Sequence, residues 1–126
     1  MSWYRIRLEK GRTKESPEGS PAHAYMLTLP LDAGGRIDAA AYRRAPARAS
    51  ILHISPEYGE ESGRLIHRED GGWAFSYAPG DEDDEIIFAL DRHDIQVGNY
   101  ITVTEPDGEE APYKIVSLRE IAMVKA

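Results

Sequence analysis

An acidic run and four histidines are the first candidates for chemistry in this sequence. Residues 81–85 (Asp-Glu-Asp-Asp-Glu) offer five consecutive carboxylates, the ligands that Ca²⁺ and Mg²⁺ prefer. The run does not fit a calcium loop, because Ile86 and Arg92 stand where that loop needs a glycine and a bidentate glutamate. The histidines also lack the spacing of a metal-binding pair; they are His23, His53, His67 and His93. We therefore expect no metal and no cofactor.

Motifs for nucleophilic catalysis are also absent from the sequence. There is no Gly-x-Ser-x-Gly, and no local arrangement places a serine beside a histidine and an acid. The lack of cysteine excludes disulfides, thiolate metal ligands and a cysteine nucleophile. Neither Gly34-Gly35 nor Gly71-Gly72 extends into a phosphate-binding loop. The sequence therefore predicts no catalytic residue and favours a protein that is not an enzyme.

A hairpin in the middle of the chain carries aromatic residues and arginines at a spacing suited to ligand binding. A four-residue loop would put six side chains on one face, with Arg68 opposite Trp73, Ile66 opposite Phe75 and Arg64 opposite Tyr77. This face is either the core face of a sheet, with arginine stems at its margins, or a stacking platform for a flat ligand. The second interpretation predicts a ligand-binding site made of Trp73, Phe75, Tyr77, Arg64 and Arg68.

Most of the elements that must position these side chains are strands. Alternation of apolar and polar residues, together with β-favouring composition, predicts strands at residues 3–9, 23–31, 50–55, 64–68, 73–77, 85–90, 100–105 and 113–118. One short helix is predicted at residues 38–44, where Asp38 can cap the first turn and Pro46 ends the helix. We predict a mostly β fold, a small antiparallel barrel or sandwich of about seven to eight strands, in a single domain spanning residues 1–126.

Composition and charge narrow the range of partners. Of 126 residues, 41% are hydrophobic and 29% charged, which is typical of a globular chain. Neither a secretory signal nor an apolar run of membrane-spanning length, about 20 residues, is visible, so we expect a cytoplasmic protein with no membrane partner. The net charge is −7, which makes nucleic acid an unlikely partner, because phosphate neutralisation dominates that affinity.

The charge is unevenly distributed along the chain. Residues 1–50 contain nine Lys and Arg against five Asp and Glu, whereas residues 51–126 contain six against 17. Either the two parts neutralise each other in the fold, or they present a basic and an acidic surface to different partners.

The function that the sequence favours is a non-catalytic binding or interaction module for an unknown protein or small molecule. The first alternative is a small metal-dependent hydrolase that uses the acidic loop at 81–85 with a histidine. The second is single-stranded nucleic-acid binding through Trp73, Phe75 and Tyr77. Exposed strand edges would also permit a homodimer.

Overall fold

The structure is a computed structural model that describes residues 2–12, 17–57, 59–68, 72–77, 85–87, 94–104 and 109–121. Within these ranges the chain forms eight strands, one short helix and a 3-10 turn. The strands are β1 (Ser2–Lys10), β2 (Ser20–Leu31), β3 (Ser50–Ser55), β4 (Gly59–His67), β5 (Trp73–Ser76), β6 (Glu85–Ile87), β7 (Tyr100–Thr104) and β8 (Glu110–Ile121). The helix is α1 (Ala39–Arg44), followed by the 3-10 turn at Pro46–Arg48.

The strands form a closed antiparallel barrel in which their spatial order follows their order along the chain. Each strand pairs with the next one along the chain, and β8 pairs back with β1. The predicted mostly β fold is therefore confirmed, and it is a barrel instead of a sandwich. Each of the eight strands has a hydrogen-bonded neighbour on both sides, which removes the free edges that suggested a homodimer. The homodimer itself stays a prediction.

Alternating side chains fill the inside of the barrel. Ile6 on β1 lies opposite Leu27 on β2, which lies opposite Ile51 on β3. All three side chains are buried, because antiparallel partners share one face of the sheet and this face points inward. An eight-stranded barrel is just wide enough for such side chains to fill it or to hold one small ligand.

The connection between β2 and β3 carries the helix and packs against one end of the barrel, which we call the helix end. The carboxylate of Asp38 accepts a hydrogen bond from the backbone N–H of Ala41 at 3.0 Å, as the sequence predicts for a helix cap. Tyr42 on α1 is buried, and its hydroxyl donates to the carbonyl oxygen of Leu65 at 2.9 Å. The helix is thus held to β4 by a buried hydrogen bond.

The predicted register of the hairpin between β4 and β5 is wrong by one residue. The structure pairs Trp73 with His67 and Phe75 with Leu65, and the backbone N–H of Arg68 donates to the Gly72 carbonyl oxygen at 2.7 Å to close the loop. A shift of one residue moves a whole strand face to the other side of the sheet. Arg64 on β4 therefore does not share a face with Trp73 and Phe75.

The other predicted strands are present in the structure, but several differ from the prediction in length. Strands β2, β4 and β8 begin three to five residues earlier than predicted, and the predicted strand at 85–90 is seen over Glu85–Ile87, since residues 88–90 lie outside the described ranges. Neither helical segment of the described chain is long and apolar enough to cross a membrane.

Candidate functional site

The end of the barrel opposite the helix brings together polar and aromatic side chains from five strands. They come from β2, β3, β6, β8 and the end of β5, and they touch through ring contacts or hydrogen bonds. We call this group the tyrosine cluster; it consists of Tyr25, His53, Phe75, Tyr77, Glu85 and Tyr113.

A buried carboxylate is the most unusual member of the tyrosine cluster. Glu85 pairs with Phe75 across the β5–β6 ladder and therefore points into the barrel, where only 5% of its surface is exposed. Its Oε1 accepts a hydrogen bond from the Tyr77 hydroxyl at 2.6 Å. Buried carboxylates are rare unless they are paired or hydrogen-bonded, so this short contact explains part of how Glu85 is tolerated.

A glycine on the neighbouring strand makes room for Tyr77. A Cβ atom at Gly63 would lie 2.7 Å from Cδ1 of Tyr77 and 2.5 Å from the carbonyl oxygen of Ser76. Both distances are shorter than real Cβ contacts allow. Gly63 thus permits β4 and β5 to approach closely enough for the Tyr77 ring to lie across the sheet.

Tyr25 lies at the centre of the tyrosine cluster and is fully buried. Its ring stacks on His53, with centroids 4.4 Å apart and planes at 15°, and it contacts Phe75 at 4.9 Å and Tyr113 at 4.8 Å. The Tyr25 hydroxyl meets no described residue in good hydrogen-bond geometry, but it lies close enough to Glu85 and Tyr77 to interact with both groups. The large majority of buried polar side-chain atoms do have a partner, so this hydroxyl needs an explanation.

The tyrosine hydroxyls of this cluster stay protonated at neutral pH. Burial raises the pKa of Tyr25 far above its usual value, and the charge of Glu85 raises it further. Burial and then Glu85 raise the pKa of Tyr77 in the same way. Both hydroxyls therefore keep their protons over the physiological range, and the Tyr77 proton is donated to Glu85.

A second polar group lies near this end, where β2 begins. Nδ1 of His23 is 2.8 Å from the Oγ of Ser20, and its Nε2 is 3.2 Å from Oε2 of Glu57 in the turn after β3. The fold thus places a serine beside a histidine and an acid, an arrangement that is not local in the sequence. The sequence gives little indication of this group, because Glu57 is 34 residues from His23.

The residues predicted to bind a ligand divide between two parts of the fold. Trp73 and Phe75 are buried, and Trp73 lies at the helix end, stacked on His67 with centroids 4.1 Å apart and edge-on to Tyr42. Arg64 is exposed and pairs with Ser76. The ligand-binding role of the predicted set stays a prediction, and its members Phe75 and Tyr77 belong to the tyrosine cluster.

The acidic run suggested for metal binding is only partly described. Residues 81–84 and His93 lie outside the described ranges, whereas Glu85 faces the barrel interior. Among the described residues, no group of three or more His, Asp or Glu side chains is placed to hold a metal ion.

Comparisons with known proteins identify no relative. The chain matches no protein-family model, no curated protein and no solved structure.

Proposed function

We propose that this protein is a binding module that takes a small, flat molecule carrying a hydrogen-bond donor at the tyrosine cluster. The observation that carries this proposal is the Tyr25 hydroxyl, which is fully buried near Glu85 and meets no described residue in good hydrogen-bond geometry. A buried hydroxyl without a partner costs about 1–3 kcal/mol of stability. A bound molecule that hydrogen-bonds to Tyr25 would remove this cost.

Polarity and ring geometry define the chemistry of the ligand. Glu85 supplies acceptor oxygens inside the barrel, and Tyr25 can donate or accept, so the ligand needs an amine, an amide N–H or a hydroxyl. The neighbouring rings favour a planar molecule, because aromatic rings gain from stacked and edge-on contacts. A few convergent polar groups on an otherwise apolar wall are typical of small-molecule sites.

His53 marks the route by which a ligand would reach Tyr25. Its ring covers one face of Tyr25 at 4.4 Å and is itself partly exposed. A planar ligand that takes the place of this imidazole would stack on the Tyr25 ring and approach its hydroxyl. Rotamer changes of this size are common when a protein binds a partner.

The test is a thermal-shift screen followed by calorimetric titration. Compounds are grouped as aromatic amines and phenols, aromatic carboxylates, and rings without donors. We expect the aromatic amines and phenols to bind. The aromatic carboxylates should not bind, because the negative charge of Glu85 repels them. A ligand present at 100 times its Kd stabilises the barrel by about 2.7 kcal/mol, which is roughly 10 °C for a chain of this length.

Three variants separate binding at the tyrosine cluster from binding elsewhere. Tyr25→Phe removes a hydroxyl and Glu85→Gln replaces a carboxylate. Each variant should lower the affinity for the titrated ligand by about 10-fold or more. Tyr42→Phe removes a hydroxyl at the helix end and should leave the affinity unchanged. The proposal is wrong if no donor-bearing compound shifts the melting temperature at millimolar concentration, or if the compounds that do so bind all three variants equally.

A further inference from the structure

Three side chains, Ser20, His23 and Glu57, connect the start of β2 to the β3–β4 turn near the same end of the barrel. The Ser20 Oγ lies 2.8 Å from His23 Nδ1, and His23 Nε2 lies 3.2 Å from Glu57 Oε2. From this geometry we infer that Ser20 is an activated nucleophile and that the protein accepts acyl groups from small esters. This inference does not depend on the proposed ligand at the tyrosine cluster.

The acid fixes the tautomer that a base needs. If the neutral His23 ring carried its hydrogen on Nδ1, the lone pair of Nε2 would face the Glu57 carboxylate, which is unfavourable. With the hydrogen on Nε2, the ring donates to Glu57, and Nδ1 is left to accept the Ser20 hydroxyl proton. The acid thus holds the imidazole as a base toward serine, which is the role of the acid in serine hydrolases.

Charges around Glu57 keep it in the form that this role requires. A hydrogen bond from its own backbone N–H lowers the pKa of Glu57, and His23 and Lys10 lower it further. Lys10 is also the partner of Ser20 across the β1–β2 ladder. Lys10 therefore adds a positive charge to the edge of the barrel that carries Ser20 and Glu57.

The backbone presents Ser20 at a tight corner. Gly19 has a φ of +81°, and a Cβ atom at this glycine would lie 3.0 Å from the carbonyl oxygen of Lys10. The chain therefore turns sharply into the first residue of β2. Ser20 and His23 are both partly exposed, so a small ester can reach the Oγ atom.

The proposed reaction balances without a cofactor. Ser20 Oγ bonds to the ester carbonyl carbon while its proton passes to His23 Nδ1, and the bond to the leaving alcohol breaks as that alcohol takes the proton. Water then attacks the acyl-serine carbonyl and gives one proton to Nδ1. The bond to Ser20 Oγ breaks, Oγ takes this proton, and a carboxylic acid is released.

The experiment treats the protein with a fluorophosphonate probe and maps the labelled peptide by mass spectrometry. We expect one label per chain, located on Ser20, and a burst of one p-nitrophenolate per chain with p-nitrophenyl acetate. Ser20→Ala should abolish both signals. Ser62→Ala, which removes an exposed serine of β4, is the matched control and should retain them.

Two further variants test the roles of the other side chains. His23→Ala should slow labelling by about 100-fold or more, the usual size of general-base catalysis, and added imidazole should restore part of the rate. Glu57→Gln acts through the histidine and should slow labelling by a smaller factor without moving the label. A wild-type protein that takes no label on Ser20 and shows no burst overturns the inference, whether or not the variants fold.

Discussion

Replacing Tyr25 with Phe removes one oxygen atom from the barrel interior and leaves the ring of that side chain in place. The ring is fully buried and packs against His53, Phe75 and Tyr113, contacts that phenylalanine can keep. The hydroxyl makes no hydrogen bond of good geometry to a described residue, although it lies near Glu85 and Tyr77. The substitution should therefore stabilise the ligand-free protein, in contrast to most substitutions in a core.

The size of the gain can be worked out from these contacts. Removing an unpaired buried hydroxyl raises the free energy of unfolding by about 1–3 kcal/mol. The void left by one oxygen atom lowers it by less than about 1 kcal/mol. The net increase in the free energy of unfolding is roughly 1–2 kcal/mol. At an unfolding entropy of about 2.1 cal/mol/K per residue, 126 residues convert this into a melting temperature higher by about 4–8 °C.

Urea unfolding and scanning calorimetry of the ligand-free protein measure this effect, with Tyr42→Phe as the matched control. The Tyr42 hydroxyl is hydrogen-bonded to a carbonyl oxygen at 2.9 Å, so its loss should destabilise by about 1 kcal/mol. The two Tyr→Phe variants are thus expected to change stability in opposite directions. If Tyr25→Phe lowers the stability as Tyr42→Phe does, the Tyr25 hydroxyl has a partner in the apo protein and the reasoning for the ligand site fails.

Two further predictions concern the same end of the barrel. Because burial raises the pKa of Tyr25 and Tyr77 above 10.0, the unfolded chain loses these protons first as pH rises. Stability is therefore fully present below pH 10 and should decrease above it by up to about 1.4 kcal/mol per pH unit for each tyrosine. Urea unfolding at pH 9 and 11 measures this, and equal slopes in the wild type and the double Tyr→Phe variant would contradict it. Gly63→Ala should lower the free energy of unfolding by about 1–3 kcal/mol, because the new methyl group meets the Ser76 carbonyl oxygen and the Tyr77 ring. Ser62→Ala on the same strand is the control and should change the free energy of unfolding by less than about 0.5 kcal/mol. If Gly63→Ala has the same melting temperature as the wild type, β4 and β5 can move apart at little cost and this prediction is wrong.

The fold could be predicted from the sequence because local patterns agree with the tertiary arrangement. In β1, Ile6 and Leu8 alternate with Arg5 and Arg7, and this period of two requires one buried face. The helix was predictable for a similar reason, since a capping aspartate and a following proline act on neighbouring backbone groups. Such signals do not depend on distant parts of the chain.

The register of the β4–β5 hairpin could not be predicted, because its sequence does not define which face is apolar. Leu65 and Ile66 are adjacent, and either one can serve as the inward residue of β4. The structure buries Leu65 and leaves Ile66 partly exposed. Without an alternating pattern, only contacts with the rest of the barrel choose between the two registers.

The candidate sites were predicted only in part, through Phe75 and Tyr77, because their other members are far apart in sequence. Tyr25 and Glu85 come together only when the barrel closes, and the acidic run at 81–85 does not itself show that Glu85 points into the barrel. Ser20 and His23 are three residues apart, but a serine near a histidine carries little information until Glu57 is brought to the other ring nitrogen. The sequence shows which side chains are present, but the order and pairing of the strands determine which of them lie in contact.

The pairing of β1 with β8 has a consequence for how the protein is made. Trp3 lies opposite Ile121, so on the β8 side Trp3 can pair only with a residue that leaves the ribosome 118 residues later. The hairpins between neighbouring strands can form as they emerge, but the sheet cannot close until β8 is released. Long-range pairing of this kind slows folding and leaves strand edges exposed in the meantime. The nascent chain therefore passes through an open sheet that is prone to associate with other chains.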